Sequence, residues 1–103
     1  MSRVKVTTLD ALPPGKMSCI EYAGETVLLA NVDGEIHAVA GNCSHEDSSL
    51  CLGALKGHYV MCSLHGSLFN LIDGRPDGEP ADVPIKVYPV EVENDTIYLL
   101  GEK

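Results

Sequence analysis

The chain contains no tryptophan and a single phenylalanine, Phe69. A core built almost without large rings must draw on Val, Ile and Leu, whose branched side chains suit a pleated sheet. Basic residues are also scarce: seven Lys and Arg stand against fifteen Asp and Glu, a net charge of −8. Phosphate backbones require a cationic face, so this balance excludes nucleic acid as a partner. It suits plain solubility, or docking onto a basic protein patch where opposite fields steer the encounter. No apolar run reaches the length of a membrane span, and MSRVKVTTLD lacks the apolar core and cleavage site of a signal peptide. The expectation is a cytoplasmic protein with no membrane partner. Internal repeats and low-complexity blocks are missing too, and 103 residues leave room for one domain, 1–103, with no second catalytic one.

Helical periodicity is absent over any three turns, whereas turn signals are frequent. Pro13-Pro14-Gly15 separates Val4–Val6 from Met17–Tyr22. Asp33-Gly34 lies between TVLLANV and EIHAVA, Asp73-Gly74 ends SLFNLI, and Asn94-Asp95 divides IKVYPVEV from TIYLL. Short β-branched or aromatic runs bounded by such turns read as strands, and the D-G pair reads as a hairpin. The predicted fold class is all-β, a barrel or sandwich of antiparallel strands. Ile85–Val92 is read as one strand with imperfect alternation. Residues 42–57 and 62–67 stand apart as a long Ser/Asp/Cys/Gly-rich loop and a short one. Irregular segments of this kind in a small β domain tend to carry function.

Those two loops hold the chemistry. Cys43-x-His45 is followed after sixteen residues by Cys62-x-x-His65. Cytosolic cysteines are kept reduced, so ligands or buried thiols are expected here rather than disulfides. Two Cys and two His could hold a structural zinc ion, a [2Fe–2S] cluster with histidine replacing cysteine on one iron, or no metal at all, as buried thiols and surface histidines. Zinc modules usually pair like with like, C-x-x-C with H-x-x-x-H. Here each loop is mixed, so each could send its cysteine to one iron and its histidine to the other. Two ferric ions, two sulfides and two thiolates sum to no net charge, against a negative centre with four thiolates. A less negative centre takes up an electron more easily, which gives mixed ligation a purpose zinc would not need.

The pattern C-x-H-x16-C-x-x-H followed by Gly66 resembles the Rieske iron–sulfur motif. Asp33-Gly34, the L-x-G within Leu52–Gly57 and the segment VPIKVYPVEVEND extend that resemblance to the small Rieske ferredoxins of aromatic-ring-hydroxylating dioxygenases. The resemblance implies a Rieske-type fold with an inserted two-loop cluster-binding subdomain at about 42–80. It implies one [2Fe–2S] cluster, with Cys43 and Cys62 on the inner iron, His45 and His65 on the outer, and Gly66 and Ser67 beside them. It further implies an electron carrier, not an enzyme, taking single electrons from an NADH-dependent flavoprotein reductase to a terminal oxygenase. Docking would be transient, at the His45/His65 tip of a monomer. The alternative is a Rieske-like small subunit of a larger reductase, such as NADH-dependent nitrite reductase.

Several positions depart from related patterns. Rieske proteins of respiratory quinol-oxidising complexes bridge their two loops with a disulfide, but the corresponding positions here are Ser48 and Leu64. High-potential relatives carry a Ser and a Tyr after the second histidine; here these are Ser67 and Phe69, so one hydrogen-bond donor to sulfur is lost and a lower potential is implied. Glu46 and Asp47 follow the first histidine, either as a docking surface for a basic partner or as a solvated loop tip. Cys19 is expected in the core, and Cys51 either as a buried thiol or as an exposed, oxidisable one. His37 and His58 are expected to be plain strand and surface residues, too few for the second iron site an oxygenase would need.

Overall fold

The run TVLLANV is apolar on both faces, and a strand of that kind must be covered from both sides. The computed structural model describes residues 3–22, 24–41, 50–61, 68–77 and 84–100. Its strands in chain order are β1 (Arg3–Thr8), β2 (Met17–Tyr22), β3 (Glu25–Val32), β4 (Glu35–Ala40), β5 (Ala54–Lys56) and β6 (Tyr59–Met61). They continue as β7 (Leu68–Asn70), β8 (Pro76–Asp77), β9 (Val87–Tyr88), β10 (Val90–Glu93) and β11 (Thr96–Leu100). Short 3-10 turns at Leu9–Ala11 and Leu50–Leu52 are the helical elements among the described residues. Three antiparallel sheets result, ordered β1-β11-β10, β2-β3-β4-β9 and β5-β6-β7-β8. The all-β expectation is borne out.

The doubly apolar β3 is the centre of the molecule. Its Val27 and Leu29 point to one side, where they join Leu12, Ala38, Tyr88, Ile97 and Leu99 under the β1-β11-β10 sheet. Leu28, Ala30 and Val32 point to the other, against Val39, Leu50, Val60, Phe69, Leu71 and Ile85. Period-two alternation thus divides one strand between two cores. Burying each such aliphatic side chain contributes about 1.5–3 kcal/mol relative to exposure.

Asn31 is the buried polar exception in this strand. Its Nδ2 donates to the Leu12 carbonyl at 2.8 Å and its Oδ1 accepts from Gly34 N–H at 2.8 Å. Backbone bonds add Gly15 N–H to Asn31 O and Asn31 N–H to Lys16 O. The residue therefore ties the Pro13–Gly15 turn to the β3–β4 hairpin. That hairpin turns at Asp33 (φ 53°) and Gly34 (φ 94°), and the β10–β11 hairpin at Asn94 (φ 53°) and Asp95 (φ 64°). Positive φ at both central residues is the turn whose twist matches paired strands, so the hairpin expected at Asp33-Gly34 and the turn expected at Asn94-Asp95 both hold.

Three expectations are corrected. Ile85–Val92 is two strands: Pro89 has no N–H to continue a ladder, and the chain changes sheets there. Val87 and Tyr88 pair with Val39 and Ala38, whereas Val90–Glu93 pair with β11. Residues 42–57 are not one loop, because their second half forms the turn Leu50–Leu52 and strand β5, held by pairing with β6. Finally, Cys19 and Cys51 are not separate thiols. The turn after residue 49 packs on β2 and brings the two into a disulfide, with Cα atoms 6.0 Å apart.

The pairing of β4 directly with β9 has a topological consequence. Everything between Ala40 and Val87 is an insertion between two neighbouring strands, and the third sheet is built wholly from it.

Candidate metal centre

Cys43, His45, Cys62, His65, Gly66 and Ser67 lie outside the described residues, as do Glu46, Asp47, Ser48 and Leu64. The elements from which both Cys/His-bearing segments spring are described, and they meet. The first segment leaves β4 through Gly41, whose N–H donates to Thr26 O at 2.9 Å. It returns at Leu50, whose N–H donates back to Gly41 O at 2.7 Å. Entry and exit are thus joined by one backbone bond. The second segment leaves β6 at Met61 and returns to β7 at Leu68, and those two residues are register partners.

These two stems are packed against each other without a side chain between them. Ala54, just beyond the first stem, is the register partner of Met61, the last described residue before Cys62. A Cβ added at Gly53 would lie 1.8 Å from Met61 O. Only glycine permits that approach. Gly53 N–H also donates to Leu50 O at 3.0 Å, closing the turn. The segment that carries C-x-H, leaving β4 and rejoining at Leu50, and the segment that carries C-x-x-H, leaving β6, therefore spring from elements that touch at Gly53 and Met61.

Beneath the stems the sheet is dry. Leu50, Val60, Phe69 and Leu71 are each 0% exposed. Phe69, opposite Val60 and Pro76 in register, sits two residues beyond Ser67 and is sealed in this core. A donor set of two thiolates and two imidazoles, on adjacent stems over an apolar floor, fits a [2Fe–2S] cluster with mixed ligation.

His37 and His58 rings stand 6.3 Å apart, on either side of Glu35. Their Nε2 atoms lie 3.6 and 4.0 Å from Glu35 Oε1, and His37 Nε2 has no hydrogen-bond partner. Among the described residues no group of three or more His, Cys, Asp or Glu could hold a metal ion. At the far edge, Arg3 is engaged by Glu93 and Glu91 and lies 4.1 Å from the Tyr98 ring centroid. The hydrogen bond to Glu93, foremost, raises its pKa further. No helix among the described residues is long and apolar enough to cross a membrane.

Residues 2–89 match the family model described as Rieske [2Fe–2S] domain. The ferredoxin component of biphenyl 2,3-dioxygenase from Rhodococcus jostii (strain RHA1) is 35% identical over 94% of this chain and 91% of its own. The ferredoxin of carbazole 1,9a-dioxygenase from Nocardioides aromaticivorans IC177 superposes with a TM-score of 0.94 at 27% identity, over 99% of this chain and 100% of its own. A ferredoxin–oxygenase complex of carbazole 1,9a-dioxygenase matches at TM-score 0.91 and 31% identity, over 98% of this chain and 94% of the matched one. Against the terminal oxygenase from Nocardioides aromaticivorans IC177 the match has a TM-score of 0.87 at 28% identity. It covers 98% of this chain but only 30% of the oxygenase. Two chains described as nitrite reductase small subunits share the fold at 23% and 24% identity, each with a TM-score of 0.85.

Proposed function

The chain belongs to the Rieske [2Fe–2S] domain family, and from that premise we propose that it is the ferredoxin component of an aromatic-ring-hydroxylating dioxygenase system. One observation carries this reading. The match to the biphenyl dioxygenase ferredoxin runs chain for chain, over nine-tenths of each, whereas an oxygenase is matched over less than a third of its length. The nitrite reductase small-subunit reading rests on fold alone.

Cys43 and Cys62 would hold the inner iron, and His45 and His65 the outer. When bound, the cluster supplies a one-electron couple, poised upward by its two neutral ligands. The chain's own residues do the rest. Leu50, Val60 and Phe69 exclude water from the side of the stems, and the Ser67 hydroxyl is placed in sequence to donate to a cluster sulfur. Segment 42–80 acts as the cluster-binding subdomain and the remaining sheets as its support. His45 and His65 would give the electron its way out by their imidazole edges, so that a flavoprotein reductase and an oxygenase would take turns at the same tip. Such an interface is small and short-lived, consistent with a monomeric carrier in the cytoplasm. Net charge −8 favours basic faces on both partners, and Glu46 and Asp47 follow His45 directly in sequence. The carrier itself catalyses no bond making.

Reconstitution tests this. With an NADH-dependent reductase and a dioxygenase oxygenase of the biphenyl or carbazole type, product should form only when this protein is added, and its rate should fall with ionic strength. Isolation in a stable stoichiometric complex with a large reductase, and no stimulation of any oxygenase, would overturn the reading.

A further inference from the structure

Cys51 lies one residue beyond Leu50, where the first ligand-bearing segment rejoins the sheet, and it is bonded to Cys19 of β2. Cys19 is half-buried beside the core formed by Leu28, Val39, Leu50 and Phe69, and its register partner is Leu28 at the centre of the molecule. The Cα separation of 6.0 Å falls in the range that disulfides occupy without backbone movement. The bond therefore fastens the exit of that segment to the rigid central sheet, across 32 residues of chain. The same stem is also held by the Leu50–Gly41 and Gly53–Leu50 backbone bonds and by the burial of Leu50 in that core.

We propose that Cys19 and Cys51 form a reversible thiol–disulfide couple that tethers the first ligand loop and so sets how firmly the cluster is retained. A cytoplasmic glutathione pool holds most protein thiols reduced, so the tether would close when that pool is oxidised. Closure consumes one glutathione disulfide. The thiolate of one cysteine attacks a glutathione sulfur, forming a mixed disulfide and expelling one glutathione thiolate. The second cysteine thiolate attacks the mixed disulfide, forms the Cys19–Cys51 bond and expels the other. Two cysteine sulfurs are oxidised, one glutathione disulfide becomes two glutathiones, and the protons lost by the cysteines go to the departing thiolates. Oxidation thus tightens the grip on an oxidant-sensitive group. The couple stands on geometry alone; its effect on the cluster rests on the ligand assignment made above.

The iron-loaded protein is equilibrated in buffers of graded glutathione to glutathione-disulfide ratio, quenched in acid, alkylated with iodoacetamide and mapped by mass spectrometry. Cys19 and Cys51 should lose alkylation together, in a linked peptide pair, with the slope of a two-electron couple. If either stays alkylatable at every ratio, or each takes up glutathione separately, the couple is overturned. In parallel, iron release to a chelator is followed by loss of visible absorbance. Release should be several-fold slower from the disulfide form. Cys51→Ser and Cys19→Ser should both release at the reduced form's rate and stop responding to glutathione. Equal rates from the two redox forms of the parent protein would overturn the tether. Should the purified chain hold no iron at all, the ligand assignment falls, and the alkylation map, which needs none, still decides the couple.

Discussion

Replacing Gly53 by alanine puts one methyl group where the stems of the two Cys/His-bearing segments touch. The new Cβ would lie 1.8 Å from Met61 O, where 3.0 Å is about the closest that real Cβ atoms come, so the backbones must part by about 1.2 Å. The obstacle is not a side chain that can rotate away. Met61 is backbone of β6, paired with Ala54 on one side and Leu68 on the other. Overpacking usually costs about 1–3 kcal/mol, and a backbone obstacle puts this case at the upper end, about 3 kcal/mol. Total stability for a domain of this size is about 5–15 kcal/mol, and that loss lowers the melting temperature by about 12–24 °C. Because Met61 precedes Cys62, the displacement moves one ligand pair relative to the other. The iron content of purified Gly53→Ala should therefore fall well below that of the parent. Gly57→Ala is the control: Gly57 has φ +61° and nothing within 4 Å of the added methyl, so only local strain of about 1 kcal/mol is expected, with iron content unchanged. Thermal melts by circular dichroism, with iron and protein assays on the same samples, read both effects. Gly53→Ala that melts within two or three degrees of the parent and carries full iron would refute the reasoning.

Two further substitutions probe separate parts of the structure. Asn31→Ala removes a buried donor and acceptor and strands Leu12 O and Gly34 N–H, which should cost about 2–4 kcal/mol in urea denaturation with cluster content retained while folded. Phe69→Tyr adds a hydroxyl two residues beyond Ser67; one new hydrogen bond to the reduced cluster, worth about 1 kcal/mol, should raise the reduction potential by about 40 mV in protein-film voltammetry.

Local signals were read correctly from sequence because local chemistry decides them. Asp33-Gly34 and Asn94-Asp95 form their turns at positive φ whatever surrounds them. TVLLANV announces a strand because it is β-branched and apolar on both faces. The spacing of two Cys/His pairs needs no fold to be noticed. Non-local features were missed for the converse reason. Pro89 sits in a run that alternates acceptably, and the sheet change shows only once β4 and β11 compete for its two halves. β5 has three residues and exists because β6 pairs with it. Nothing near Cys19 encodes Cys51, 32 residues away. One signal was available and unused: Asn31, a polar residue at the end of an apolar run and just before a D-G turn, suits capping that turn.

The account depends on two irons held by two sulfurs and two nitrogens from neighbouring loops. Analysis of the anaerobically purified protein for iron, acid-labile sulfide and zinc, with electron-spin resonance before and after dithionite, tests it directly. Equal iron and sulfide, two of each per chain, and a signal present only after reduction are expected. A colourless protein carrying zinc, or one that takes up neither iron nor sulfide on reconstitution, would contradict it.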